Sequence, residues 1–439
     1  MSENPAMLCA GYFERLCQFE TLADAFKAVK RNKGAPGVDK VTIELFESKL
    51  SDELLQLQKE LQEWVYNPMP VRRVEIPKPN GGVRLLGVPA VRDRVVQAAC
   101  KAILEPVFEA TFSESSYGFR PRRNQEQAVK AAQEIVRSGK AWVVDIDLSQ
   151  FFDRIHHDRL IARIKLQMPD TRILRLIGKI LRSGVMQGGL VSLTTEGAPQ
   201  GGPLSPLLSN IVLDELDKEL ERRGLEFCRF ADDCNIFVGT EQSATRVMRT
   251  VTKFIETKLK LIVNQDKSKV AQSRFVKFLG MTIVSGFVAI APQAIDKAMA
   301  KTRELIPRGT SEPIEQTVSR INEWYVGWAN YFKMTQYPSQ LLAIEAHLRR
   351  RLRSRIVSQQ KRKRHLYEKL LKRGVPRRKA AIVYSNRKRW ALSHSQAVET
   401  GYPNRWFIKT LGLKVASHRN LDHWFPTKTW IKLREKPCT

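Results

Sequence analysis

The chain has 439 residues, with 74 lysines and arginines against 45 aspartates and glutamates, which gives a formal net charge of +29. An apolar content of 43% excludes a chain that is disordered throughout, and at roughly 100–200 residues per domain the length indicates two to four domains. The charge excess indicates a polyanionic partner, nucleic acid first, because neutralised phosphates release counterions and give strong, salt-sensitive binding.

The apolar segments are all too short to cross a membrane, which needs a run of roughly 18 residues. The N-terminus carries Glu3, Glu14 and Glu20 where a secretory signal would carry positive charge. We therefore expect a soluble, cytoplasmic protein with no membrane partner. The six cysteines include no Cys-x-x-Cys pair and no histidine at zinc-ligand spacing, so neither a zinc site nor a disulfide framework is expected.

Helix-period and strand-period segments are mixed between about residues 54 and 290, which predicts an α+β domain. In chain order, we expect a helix over residues 54–65, a hairpin of strands 71–77 and 83–88, a helix over 91–108, a strand over 142–148, a helix over 204–223, strands over 227–230 and 235–238, and a helix over 244–259. Residues 307–310 contain proline and glycine and predict a linker, and the chain after them is expected to be mainly helical.

The strongest charge concentration lies within that C-terminal part. Residues 349–389 hold 18 lysines and arginines and one acidic residue, Glu368. Ala346, Leu348, Leu352 and Ile356 keep a partial helical spacing, so the block predicts basic helices rather than a disordered tail. We interpret this block as a nucleic-acid-facing module.

Two adjacent acids, Asp232 and Asp233, follow Phe230 and Ala231 between two apolar, strand-like segments. This pattern places the acids at the tip of a hairpin. Adjacent carboxylates repel each other unless a cation lies beside them, so the pair is a candidate metal site. An ordinary Asp-Asp turn is the alternative that this motif alone leaves open.

Two further acids, Asp145 and Asp147, lie in an apolar segment and would be expensive to bury without a partner or a metal. Both would share one face of a strand, so alternation does not choose between them. Asp147 lies nearer the C-terminal end of the strand, where ligands gather in sheet proteins, and is the candidate metal ligand. A salt-bridged structural role stays open for either acid and is the preferred interpretation for Asp145.

Carboxylates from separate strands suit a two-metal centre. They can hold two Mg²⁺ ions about 4 Å apart, one activating a 3′-hydroxyl and the other stabilising the leaving pyrophosphate. This chemistry is nucleotidyl transfer.

Two other stretches fit a nucleotide substrate. Lys78 and Arg84 flank the predicted turn of the first hairpin, where two cations could contact a triphosphate. A Gly/Pro-rich loop over residues 197–210 contains Gln200, whose amide can hydrogen-bond a nucleotide. The loop has no lysine at the spacing of a phosphate-binding P-loop, so an ATPase of that class is a poor match.

Taken in order, these motifs resemble the reverse transcriptases encoded by bacterial group II introns, which carry a maturase domain. The resemblance covers about residues 30–415, in blocks at residues 37–39, 76–89, 117–121, 147–153, 198–206, 230–233, 261–269, 278–280, 327–332 and 389–394. One departure is Phe230, where the family most often has tyrosine, so the ring is kept and the hydroxyl is lost.

The resemblance implies that Asp147, Asp232 and Asp233 form the catalytic, metal-binding triad. It adds the Leu148 carbonyl as a ligand and two Mg²⁺ ions as cofactors, which Mn²⁺ could replace. It implies that Phe152 blocks a ribose 2′-hydroxyl and thereby selects deoxynucleotides. The residues implied to contact the nucleotide are Lys78, Arg84, Phe152, Gln200 and Ala231.

The implied architecture is a right-hand polymerase of the α+β class, with an antiparallel sheet. We expect an N-terminal extension over residues 1–53, fingers and palm over 54–290, a helical thumb/maturase domain over 291–415, and a short basic tail over 416–439 without an endonuclease domain. The implied partners are template RNA, a DNA primer, dNTPs and group II intron RNA, in the bacterial cytoplasm or at the nucleoid.

Two alternatives to an intron-associated polymerase stay open. One is a maturase that helps RNA fold and has lost polymerisation, against which the intact acidic triad argues. The other is a free-standing or domesticated relative that uses the same polymerase in repair or defence.

Overall fold

The computed structural model describes residues 11–77, 83–187, 190–192, 196–197, 201–385 and 388–416. The chain divides into two compact units, an N-terminal unit ending at Gln272 and a C-terminal unit beginning at Ser273. The N-terminal unit combines helices with two sheets, and the C-terminal unit is mainly helical. The predicted α+β class with a helical C-terminal region is therefore confirmed.

The helices of the N-terminal unit are α1 (Tyr12–Leu16), α2 (Phe19–Asn32), α3 (Ile43–Ser48), α4 (Leu50–Gln62), α5 (Val91–Glu109), α6 (Gln125–Arg137), α7 (His157–Gln167), α8 (Thr171–Leu181), α9 (Ser205–Arg222) and α10 (Glu241–Phe254). A 3₁₀ turn covers Phe151–Arg154, and a π-helical turn over Ile255–Leu259 continues α10. Polar side chains begin several of these helices. The Asp170 carboxylate, for example, accepts from the first N–H groups of α8.

The strands of the N-terminal unit are β1 (Val71–Pro77), β2 (Val83–Val88), β3 (Trp142–Ile146), β4 (Val185–Gln187), β5 (Leu190–Ser192), β6 (Glu226–Phe230), β7 (Asp233–Val238) and β8 (Lys269–Gln272). One sheet has the order β2-β1-β4-β5, with a parallel β1–β4 pair. The other has the order β6-β7-β3-β8 and is antiparallel throughout. The predicted elements are all present, with ends shifted by a few residues.

The helix predicted over residues 54–65 begins and ends earlier in the structure. It runs as α4 from Leu50 to Gln62, because Leu54, Leu57 and Leu61 continue an apolar stripe that Leu50 begins. This helix therefore crosses the predicted boundary between residues 53 and 54. The described N-terminal helices also contribute to the same apolar core as the sheet-bearing part of the unit, through Phe13, Leu16, Leu22 and Phe26 among others. Residues 11–53 are thus part of the N-terminal unit and share its core.

The C-terminal unit begins with the hairpin β9 (Met281–Val284) and β10 (Phe287–Ile290), after a 3₁₀ turn over Ser273–Phe275. Its helices are α11 (Pro292–Leu305), α12 (Ile314–Tyr331), α13 (Pro338–Gln359), α14 (Lys363–Lys372), α15 (Arg377–Ala380), α16 (Ile382–Ser385), α17 (Arg389–Leu392), α18 (Gln396–Gly401) and α19 (Asn404–Lys409). The predicted linker lies between α11 and α12.

The division between the units falls after Gln272, whereas the sequence placed a boundary after Ile290. The β9–β10 hairpin accounts for the difference, because its backbone is held by the C-terminal unit. The N–H groups of Val288 and Ile290 donate to the side-chain oxygens of Gln336 and Gln340, each at 2.8 Å.

The basic block forms helices, as predicted, but part of its charge lies inside the unit. Arg351, Arg353 and Arg355 of α13 are buried. Arg351 donates to the Ile306 carbonyl at 2.8 Å, and Arg353 to the Tyr402 carbonyl at 2.9 Å. The interpretation of the whole block as a nucleic-acid surface is therefore wrong for these three arginines, which hold neighbouring segments together.

No helix within the described ranges combines the length and apolar composition needed to cross a lipid bilayer. The short basic tail predicted from residue 416 lies, apart from Ala416, outside the described residues.

Candidate active site

The antiparallel sheet brings the three predicted acidic residues to one end. In the register of β3 and β7, Ile146 pairs with Cys234. Asp147 directly follows Ile146 and Asp233 directly precedes Cys234, so the two acids lie side by side at one end of the sheet. Asp232 precedes Asp233 in the turn between β6 and β7, whose last cross-strand pair joins Phe230 and Asp233. The predicted hairpin with acids at its tip is thus present.

The turn itself has an unusual backbone. Ala231 has φ +58°, in the left-handed region that residues with a Cβ atom enter at a cost of about 1–3 kcal/mol. Its side chain is buried, whereas Asp233 is exposed. Such a conformation persists only where the surrounding structure holds it, so the groups around Ala231 determine where the acids lie.

A buried arginine, Arg229, holds this turn through a hydrogen bond to its backbone. Arg229 and Asp217 are both 0% exposed and form a bidentate ion pair at 2.6 and 2.7 Å. Arg229 also donates to the Ala231 carbonyl at 2.9 Å and the Asn210 side chain at 3.0 Å. A fifth hydrogen bond joins Arg229 to Ser116 Oγ at 2.8 Å. All five guanidinium donors are satisfied, as a buried charge requires.

This network links three distant segments, namely helix α9, strand β6 and the loop before α6. Burial raises the pKa of the Asp217 carboxyl, although the charge of Arg229 opposes that shift. Arg229, Asp217 and Asn210 were not predicted from the sequence. A charged residue inside the apolar strand of residues 226–230, two positions before Ala231, was the signal that could have revealed Arg229.

A neighbouring loop lies directly against the acidic turn. Ser116 forms a parallel bridge with Arg229, and the Tyr117 N–H donates to the Arg229 carbonyl at 2.8 Å. A Cβ atom built on Gly118 would lie 2.3 Å from the Ala231 nitrogen, so only glycine permits this approach. The Gly118 carbonyl accepts from Asn210 Nδ2 at 2.8 Å. The loop and the turn are therefore held in one arrangement.

Asp147 stands beside a cation and is anchored through its backbone. Its Oδ2 lies 3.5 Å from Lys267 Nζ. Its N–H donates to Ser268 Oγ at 3.0 Å, and its carbonyl accepts from the Asn264 N–H at 2.8 Å. Leu148, the next residue, forms an isolated antiparallel bridge with Val263. Leu148 is itself buried.

Asp145 occupies a different environment from Asp147. In the registers of β3, it lies directly across from Lys269 of β8 and Asn235 of β7. An opposite charge at the facing position stabilises a sheet. This placement agrees with the structural role preferred for Asp145.

Phe152 lies in the 3₁₀ turn that follows the acidic end of β3. Its ring packs edge-on against Phe151 at 5.2 Å and is only partly buried. Gly197 lies against this turn, since a Cβ atom there would come 3.2 Å from the Phe152 carbonyl oxygen. Gly197 has φ +93°, and its carbonyl lies 2.7 Å from His157 Nε2. The start of the Gly/Pro-rich loop is thus fixed next to Phe152.

The structure describes only some of the other residues that were predicted to contact the nucleotide. Lys78 and Gln200 lie outside the described residues, as does the Arg84 side chain. The Arg84 backbone belongs to β2 and pairs with Ile76. Gly201 of the Gly/Pro-rich loop lies against the same strand, since a Cβ atom there would be 2.4 Å from the Gly87 carbonyl oxygen.

In the described part of the chain, no group of three or more His, Cys, Asp or Glu side chains is arranged to hold a metal ion. The available donors nevertheless suit Mg²⁺, which prefers carboxylate and carbonyl oxygens. The four described cysteines, Cys17, Cys100, Cys228 and Cys234, are buried and free, and burial raises the pKa of the Cys228 thiol to about 12.

Two family models and several known proteins match parts of this chain. Residues 76–283 match the family described as reverse transcriptase (RNA-dependent DNA polymerase), and residues 295–374 match the group II intron maturase-specific domain. Protein YkfC of Escherichia coli K12 is 35% identical over 307 residues, which cover 61% of this chain and 81% of that protein.

A second relative, group II intron-encoded protein LtrA of Lactococcus lactis subsp. cremoris, is 34% identical over 249 residues, which cover 56% of this chain and 40% of that protein. The putative COX1/OXI3 intron 2 protein of Saccharomyces cerevisiae is 28% identical over 320 residues, covering 59% of this chain and 37% of that protein. By its two matched domains and these relatives, the chain belongs to the group II intron-encoded reverse transcriptases, RNA-directed DNA polymerases with a maturase domain.

Proposed function

We propose that Asp147, Asp232 and Asp233 are the catalytic residues of RNA-templated DNA synthesis in this protein. The observation that carries the proposal is the strand register, which brings Asp147 beside the Asp232-Asp233 turn at one end of the antiparallel sheet. Three carboxylates at one place repel one another, and this repulsion favours binding of divalent cations.

The three aspartates and the Leu148 carbonyl would hold two Mg²⁺ ions, which Mn²⁺ could replace. When bound, such ions activate the 3′-hydroxyl of a DNA primer and stabilise the charge on the leaving pyrophosphate. Lys267 neutralises part of the Asp147 charge in the described structure and would be displaced by a metal, because its ammonium lies 3.5 Å away on an exposed side chain. The Arg229 network keeps the Ala231 carbonyl, and hence the acidic turn, in place.

For the nucleotide, we propose contacts by Lys78, Arg84, Gln200 and Ala231, with Phe152 as the gate against ribose. The placement of Gly197 against Phe152 and of Gly201 against Gly87 supports this assignment. Gly197 and Gly201 thus lie against the Phe152 turn and against strand β2, which carries Arg84.

We expect Phe152→Val to admit ribonucleotides, because the proposed gate is steric and valine is much smaller. The preference for dNTP over rNTP, measured as the ratio of kcat/KM values on an RNA template, should fall by at least about tenfold, or about 1.4 kcal/mol in discrimination. Phe152→Tyr, which keeps the ring, is the matched control and should retain the preference. An unchanged ratio in Phe152→Val would exclude Phe152 as the gate.

We propose that the C-terminal unit binds group II intron RNA and assists splicing and mobility of the intron. The match to the maturase-specific domain supports this, together with the exposed cations on and around α14 and α15. They include Lys361, Arg362, Lys363, Arg364, Lys369, Lys372, Arg377, Arg378 and Lys379. Unlike Arg351, Arg353 and Arg355, these side chains are open to solvent.

The exposed cluster Arg377, Arg378 and Lys379 allows a test of this surface. Replacing all three with glutamine should weaken RNA binding. It should also reduce the slope of log affinity against log salt concentration by about two to three, because each lost phosphate contact lowers that slope by roughly 0.7–0.9. Binding would be measured between 50 and 200 mM salt. The double variant Arg377→Lys, Arg378→Lys preserves the charge and should keep the wild-type slope. A wild-type slope in the glutamine variant would show that these three cations do not contact RNA.

The decisive experiment for the proposed function is extension of a DNA primer on an RNA template with Mg²⁺ and dNTPs. Extension by the wild-type chain supports the polymerase. A folded protein that binds intron RNA and promotes splicing without any extension would favour the maturase-only alternative.

A further inference from the structure

An exposed aromatic residue stands beside the acidic turn and has no place in the roles assigned so far. Phe119 is 52% exposed, although it belongs to a loop whose neighbours Gly118 and Arg120 are buried. Its φ is +58°, which is a rare conformation for a bulky side chain. A strained backbone that presents a large apolar ring to solvent suggests a ligand for that ring.

The backbone around Phe119 is held on both sides. Gly118 is fixed by its contact with Ala231 and by the hydrogen bond from Asn210. Arg120 is buried, with hydrogen bonds to the Ser116 carbonyl at 2.9 Å and a bidentate contact with Glu109 at 2.9–3.1 Å. The backbone position of Phe119 is therefore set by contacts of its neighbours with the rest of the N-terminal unit.

The ring of Phe119 lies next to that of Phe230, with centroids 6.4 Å apart and planes inclined by 46°. Phe230 is the last residue before the acidic turn. The two rings together form an apolar surface adjoining the proposed metal-binding carboxylates. Aromatic rings beside a nucleic-acid path serve as stacking surfaces for bases and sugars.

The order of segments across the sheet indicates which nucleotide meets this surface. The loop of Phe119 lies beyond β6, because Ser116 bridges to Arg229 on the outer edge of that strand. Phe152, the proposed gate for the incoming nucleotide, follows β3 on the other side of β7. The acidic turn thus lies between the two aromatic sites, as nucleotidyl transfer between two substrates requires.

We propose that Phe119 is a positioning residue for the primer: its ring packs against the 3′-terminal nucleotide and holds the attacking 3′-hydroxyl at the acidic turn. This inference rests on the proposed function, because it takes Phe152 to mark the side of the incoming nucleotide. The reaction it assists is attack of the 3′-hydroxyl on the α-phosphate of a dNTP, which forms a phosphodiester and releases pyrophosphate.

The first test places 2-aminopurine at the 3′ end of the primer in a complex of the full chain with primer and RNA template, without dNTP. The wild-type ring should quench this base by stacking, so Phe119→Ala should give brighter fluorescence and Phe119→Trp should restore the quenching. A 2-aminopurine several positions upstream should report no difference. Because this readout needs no catalysis, it can fail or succeed independently of the polymerase assignment.

The second test is single-nucleotide extension. Phe119→Ala should lower kcat about tenfold while leaving the KM for dNTP unchanged, and aromatic replacements should restore the rate. Leu45→Ala is the matched control, since Leu45 is also 52% exposed and lies on α3 in the same unit. Alanine carries a Cβ atom, as phenylalanine does, so Phe119→Ala leaves the backbone strain at this positive φ unchanged. The thermal stability of the variant should therefore not fall.

Three results would overturn the proposal: wild-type kcat in Phe119→Ala, an effect confined to the KM for dNTP, or equal 2-aminopurine fluorescence in both proteins. Failure of the wild-type chain to extend any primer would instead contradict the proposed function.

Discussion

Asp232→Asn should abolish RNA-templated primer extension, with a loss of at least about 10³-fold in kcat, or about 4 kcal/mol of transition-state stabilisation. Asparagine keeps the size of the side chain but removes the charge that a divalent cation needs. The fold should be unaffected, because Asp232 lies at the partly exposed tip of a hairpin and its removal relieves repulsion from Asp233. The measurement is extension at saturating dNTP over a range of Mg²⁺ concentrations.

Asp158→Asn provides the control, since Asp158 is an exposed acid on α7 outside the proposed triad. It should extend primers at the wild-type rate. Binding of primer and template by Asp232→Asn, measured separately, should stay close to wild type because phosphate contacts dominate it. Extension by Asp232→Asn within tenfold of wild type would contradict the assignment of the acidic turn as the catalytic site.

Arg229→Met should be the most destabilising single change near the site. Removal of one partner from a buried ion pair leaves Asp217 as an uncompensated charge, which typically lowers the free energy of unfolding by about 3–5 kcal/mol. The same change leaves the Ala231 and Asn210 oxygens without their buried donor. Denaturant unfolding of the purified variant, followed by a signal from the N-terminal unit, measures the effect.

A double variant separates stability from positioning. Arg229→Met with Asp217→Leu removes both charges and should recover part of the lost free energy of unfolding, as replacement of buried pairs by apolar groups often does. Primer extension should stay low, because the Ala231 carbonyl still lacks its donor and the acidic turn is no longer held. Recovery of both properties together would mean that the network only stabilises the fold.

Local pattern was sufficient for most of the secondary structure and for the candidate acids. The hairpin β1–β2 has the predicted bounds, because alternation and a Gly-rich turn are properties of neighbouring residues. The acidic hairpin was likewise readable from two apolar strands around Asp232 and Asp233. The start of α4 was missed, because the residues that extend it are polar except for Leu50, which is only partly buried against the core of the N-terminal unit.

The composition of the basic block did not predict which of its cations are buried. Its charge density correctly predicted basic helices, yet sequence gave no means to distinguish Arg355, which is buried against Thr317 and Glu312, from exposed Arg377. Both residues lie in the same charged stretch. Burial depends on which carbonyls and acids the fold brings near, and these lie far away in the chain.

The sequence by itself determined the fold class and the order of the motifs and supplied the three candidate acids, since each follows from residues close together in the chain or from the family's motif order. The tertiary structure alone decided how the acidic turn is held. Arg229 and Ser116 are 113 positions apart, and Gly118 meets Ala231 only because the loop before α6 lies beside β6. Such contacts carry no local signature, because their free energy arises from burial and hydrogen bonding between segments that only folding brings together.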